Sequence, residues 1–91
     1  MMALYTELPV YRDTYLLTLK IFEVTKDLPR EYKYTLGQDM KRDSLYLLRC
    51  IYRANKHQNR VEHLEGFLDE LELLKLEIRL CVEMKLISLK R

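Results

Sequence analysis

Pro9, Pro29, Gly37 and Gly66 are the only prolines and glycines in the chain. A sandwich or barrel of short strands needs turn residues roughly every 8–12 positions, so this sequence cannot build one. Long helices with short connections follow, and the expected fold class is all-α. Ninety-one residues close one domain, residues 1–91, around one small core. Hydrophobic residues at 48% supply that core, and charged residues at 33% supply a solvated surface.

Hydrophobic spacing divides the chain into three long helices, over about residues 9–27, 30–56 and 60–86. Pro9 suits a first helical position, where its missing N–H costs nothing. In the first helix Val10, Leu17, Ile21, Val24 and Leu28 form one stripe, and Tyr11, Tyr15, Leu19 and Phe22 form another on the opposite side. Pro29 interrupts the pattern. The second helix starts either at Leu36, with Thr35 and Gln38 at capping-box spacing, or earlier, with Pro29 in its first position. Its core stripe is Leu36, Met40, Leu47, Ile51 and Ala54, with Leu48 at the margin. Lys56, His57, Gln58 and Asn59 form the next connection, and Asn59 can cap the third helix with Glu62 in support. Leu64, Phe67, Leu68, Leu71, Leu74 and Ile78 form that helix's core stripe. Leu73, Leu76, Leu80 and Met84 form a second stripe nearly opposite. Short connections make consecutive helices antiparallel, so the architecture is an up-down bundle. A helix in a three-helix monomer needs one apolar face. The second stripes on the first and third helices therefore point to cover by a further helix or by neighbouring subunits.

Charge is unevenly placed. The net charge is +2, yet residues 30–60 carry eight basic and three acidic groups. Arg42, Tyr46, Arg49, Arg53, Lys56 and Arg60 fall close to one line at about 100° per residue, away from the core stripe. Regularly spaced cations suit a phosphate backbone, each contact releasing a counterion. Arginine adds bidentate geometry, and Tyr46 could stack on a base. The same row would equally suit an acidic protein, or be a solvated helix face pairing with acids of the third helix.

Catalytic signatures are missing. Gly37 and Gly66 are isolated, so there is no phosphate-binding loop. His57 and His63 lack a matching cysteine pair, so no zinc site is expected. Asp39 and Asp43 share a helix side without the Glu-x-x-His partners of a di-metal bundle. The expectation is a non-enzymatic protein without cofactor, metal or small-molecule substrate. Cys50 and Cys81 read as reduced thiols in or near the core. No apolar run approaches the roughly 18 residues of a membrane span. The opening MMALYTELPVYRD lacks a signal-peptide pattern, which makes the cytoplasm the expected compartment.

The stretch LPREYKYTLGQDMKRDSLYLLRCIYRANK, residues 28–56, resembles the four-helix-bundle proteins that include the accessory variability determinant of diversity-generating retroelements. The related proteins of 23S ribosomal RNA intervening sequences share that broad fold. PREYKYTLGQ followed by KRD is the specific part, and the likeness runs through almost the whole chain. It implies an antiparallel four-helix bundle that assembles as a homopentamer with a basic surface, binds the element's reverse transcriptase and associates with RNA or DNA. It marks Arg30, Lys41 and Arg42 as basic motif positions. Family members continue past KLISLK into a fourth helix. Here three helices are expected, with Tyr11, Tyr15, Leu19 and Phe22, and Leu73, Leu76, Leu80 and Met84, where a fourth helix or a subunit would dock. The alternative is a self-assembly module of the intervening-sequence type with no nucleic-acid role.

Overall fold

The computed structural model describes residues 7–56 and 59–87. Four helices follow in order: α1 (Pro9–Thr25), α2 (Arg30–Lys33), α3 (Leu36–Lys56) and α4 (Arg60–Glu83). Among the described residues there is no strand, so the fold is all-α with three long helices, as expected. The connection expected at His57 and Gln58 lies outside the described residues.

The breaks have local causes. Pro9 opens α1, and the Arg12 N–H bonds the Leu8 carbonyl at 3.0 Å. At the other end, the N–H groups of Asp27 and Leu28 donate to the carbonyls of Val24 and Thr25, at 3.3 and 3.2 Å. These i→i−3 bonds tighten the last turn before Pro29, two residues earlier than the expected end. Pro29 then starts the single turn α2, accepting from the N–H groups of Tyr32 and Lys33 at 2.9 Å each. Tyr34 and Thr35 separate α2 from α3, so the helix expected over about 30–56 is interrupted and its long part begins at Leu36, the later of the two anticipated starts, with Pro29 just before α2. Thr35 Oγ1 donates back to the Glu31 carbonyl at 3.0 Å. Asn59 precedes α4 without a side-chain capping bond.

α4 stops at Glu83 rather than near Leu86. Lys85 adopts φ 61°, the Leu86 N–H reaches the Cys81 carbonyl at 2.8 Å, and the Lys85 N–H reaches the Val82 carbonyl at 3.0 Å. That is a Schellman turn with lysine where glycine is usual. It folds Leu86 and Ile87 back onto the core.

α3 is the central helix. It packs along both α1 and α4, which share no extended contact. The end of α1 meets the start of α3: a Cβ on Gly37 would lie 3.1 Å from Leu28 Cδ1 and 3.5 Å from Thr25 Cβ. Ile21, Met40, Leu47, Cys50, Ile51, Phe67, Leu74 and Cys81 form the core. On α3 the expected stripe holds at Met40, Leu47, Ile51 and Ala54, which are buried; Leu36 is half-buried.

The outer helices are turned differently from expectation. α1 buries Thr14, Thr18, Ile21 and Thr25, while Val10 is exposed and Leu17 and Val24 are half-buried. The threonine hydroxyls explain it. Thr18 Oγ1 donates to the Thr14 carbonyl at 2.9 Å and Thr25 Oγ1 to the Ile21 carbonyl at 2.7 Å. With their hydroxyls bonded within their own helix, Thr18 and Thr25 are buried without leaving those oxygens unpaired. On α4, Leu64 and Leu68 are exposed, and Phe67, Leu74, Glu77 and Cys81 are buried. A helix packed chiefly on one neighbour buries a narrow strip of seven-residue spacing. Phe67, Leu74 and Cys81 are that strip.

Candidate nucleic-acid interface

The exposed side of α3 carries Arg42, Tyr46, Arg49 and Arg53. The structure holds the row's members in different ways. Arg42 is paired: its Nη2 lies 3.3 Å from Asp39 Oδ1 and its Nε 3.5 Å from Asp43 Oδ1. The flanking acids therefore reach into the row and reduce its positive end. The Arg49 guanidinium lies 5.2 Å from the Tyr46 ring centroid. Tyr46 itself packs on the α3–α4 seam, where a Cβ on Gly66 would come within 3.6 Å of its hydroxyl. The Cys50 sulfur beside it, through charge and a hydrogen bond, holds the phenol above its usual pKa. Burial in turn pushes the Cys50 thiol up. Tyr46 is thus a structural neighbour of α4 as well as a surface ring.

Lys56 Nζ donates to the Tyr52 hydroxyl at 2.9 Å and lies 5.3 Å from that ring's centroid. Arg60 belongs to α4, and its Nε donates to the Ala54 carbonyl at 3.0 Å. It ties the start of α4 to a carbonyl in the last turn of α3. Among the described residues neither Arg49 nor Arg53 forms an ion pair. Those two are the centre of the cationic face. The motif positions do not cluster: Arg30 is exposed at the start of α2, and Lys41 turns toward α1, its Nζ 5.6 Å from the Phe22 centroid.

The second apolar stripes are exposed at Tyr15, Leu19, Phe22, Leu73, Leu76, Leu80 and Met84. Tyr11 differs. It is half-buried against the core and stacks on Tyr15 with centroids 6.2 Å apart. Phe22 borders Lys41 on one flank of α3. By helical spacing, Leu73 and Leu80 lie beside Glu70 and Glu77, on the flank of Asp43. Between α1 and α4 lies a separate apolar hollow of about 240 Å³, floored by Ile51 and Ala54 and walled by Leu8, Val10, Leu64 and Phe67.

One cluster escaped sequence reading. Asp43 on α3 and Glu77 on α4 are buried, and Glu70 is half-buried beside them. Glu77 lies three residues after Leu74 and four before Cys81, a spacing that would have placed it on the buried strip. Among the described residues no group of three or more His, Cys, Asp or Glu is arranged to hold a metal. Cys50 and Cys81 are free and buried, and Cys81 Sγ donates to Met40 Sδ at 3.6 Å. No helix among the described residues is long and apolar enough to cross a membrane.

Fold and face together define a small all-α protein whose central helix presents arginines on its outer side. The chain belongs to the bAvd-like family, whose profile matches residues 10–91. No curated protein and no solved structure matches it.

Proposed function

We propose that this protein is a non-enzymatic, cytoplasmic accessory factor that binds a reverse transcriptase and RNA or DNA through the outer face of α3. The observation that carries this is the exposed pair Arg49 and Arg53, aligned on one helix and free of ion pairs among the described residues. Family membership supports an accessory role. Arg42, Lys56 and Arg60 extend the row, and Tyr46 supplies an aromatic beside it. Five phosphate contacts on a single strand give a log–log salt slope of roughly −3.5, at about −0.7 per contact. The test is RNA binding by fluorescence anisotropy at several salt concentrations. Arg49→Glu with Arg53→Glu should abolish binding while leaving helicity intact. Unchanged affinity in that double variant rules the face out.

The exposed stripes favour a second activity, assembly of several copies, with a pentamer as the form suggested by the family resemblance. If self-assembly is the whole function, the chain forms an oligomer that Leu73→Ser and Leu80→Ser dissociate, and RNA does not bind at any salt concentration.

A further inference from the structure

α3 and α4 bury two carboxyl groups against each other. Asp43 is 4% exposed and Glu77 7%. Asp43 Oδ2 and Glu77 Oε1 are both buried without a hydrogen-bond partner. Such atoms are costly, and a buried pair of like charges is costlier still.

The surrounding groups offer little compensation. From α3, Asp39 adds a negative charge and Arg42 a positive one, but Arg42 is largely solvent-exposed and divided between Asp39 and Asp43. From α4, Glu70 adds a further negative charge beside Asp43, and Cys81 lies close to Glu77. α1 packs on α3 with Thr14, Thr18, Ile21 and Thr25, none of them ionisable. The segment after α4 brings Leu86 and Ile87, both apolar. Four carboxyls, of Asp39, Asp43, Glu70 and Glu77, thus meet one solvent-screened guanidinium.

A proton resolves the conflict. One carboxyl becomes a donor to the other, and a like-charge contact becomes a hydrogen bond. We propose that Asp43 and Glu77 meet across the α3–α4 interface through one retained proton, so that the seating of α4 on α3 weakens as the solution turns alkaline. The direction of titration agrees. Burial, then the neighbouring Asp43, pushes the Glu77 carboxyl up to about 8, and burial with Asp43 pushes Glu70 up to about 6. A carboxyl raised in the folded state stabilises fully below its unfolded value, near 4.5 for Glu77. That contribution declines as pH rises and is gone above about 8.

Carboxyl ¹³C NMR on the full chain, with urea unfolding from pH 5 to 9, tests the proposal. The Glu77 resonance should titrate with a midpoint near 8. The urea midpoint should fall across that range in the parent chain and stay nearly level in Glu77→Gln. A Glu77 midpoint near 4.5, or an unchanged pH slope in Glu77→Gln, overturns it. Calorimetric unfolding of the parent chain in two buffers of different ionisation enthalpy needs no variant. About one proton released per chain near pH 6.5 supports the joint, and none released refutes it.

Discussion

Leu74 and Leu76 lie on the same helix, two residues apart, and have opposite fates. Leu74 is 0% exposed within the core cluster, whereas Leu76 is 51% exposed. Truncating a fully buried leucine to alanine costs roughly 3–5 kcal/mol, the lost transfer energy plus the cavity left behind. A chain of this length has a total stability of roughly 5–14 kcal/mol, at about 0.05–0.15 per residue. Leu74→Ala should therefore remove about a fifth or more of the stability, and in the marginal case unfold the chain. Leu76→Ala removes surface that is already half in water, and should cost about 1 kcal/mol or less. Urea unfolding followed by circular dichroism, at two protein concentrations, separates the cases. At a concentration where the chain is monomeric, the two variants should differ by about 2 kcal/mol or more. If copies assemble through the α4 stripe, the cost of Leu76→Ala grows with concentration, because the associated state alone buries that side chain. Equal costs at low concentration would refute the reasoning, since they require α4 to be rotated about its axis.

Lys85→Gly should raise stability by about 0.5–1 kcal/mol, because glycine accepts the positive φ of the Schellman turn without the Cβ penalty; a thermal melt reads this. Arg60→Ala removes the bond to the Ala54 carbonyl and should cost about 0.5–1.5 kcal/mol. Amide exchange should show the loss as faster opening of the last turn of α3, with the centre of that helix unaffected.

Much of the fold was legible because it rests on local chemistry. The scarcity of proline and glycine dictated long helices. Pro9 and Pro29 marked a start and an interruption, and Met40, Leu47, Ile51 and Ala54 announced the buried side of α3 by spacing alone. The cationic row was visible for the same reason: residues on one helix keep their relative angles whatever surrounds them. Periodicity does not reveal the direction from which a neighbour approaches. α1 therefore turned Thr18 and Thr25 inward, which became possible once their hydroxyls bonded carbonyls of their own helix. α4 left Leu64 and Leu68 in water because it leans on α3 and not on α1. The left-handed turn at Lys85 carried no glycine to announce it. Arg42 met Asp39 and Asp43, and Arg60 tied α4 to α3, through distances that no spacing rule contains. Asp43 and Glu77 lie 34 positions apart in the sequence, and only the packing of α3 on α4 brought them together. The sequence by itself determined the helices, their order and the charge each face carries. The tertiary structure decided which faces meet, and so which charges are paired, because burial and pairing depend on where a second helix lies.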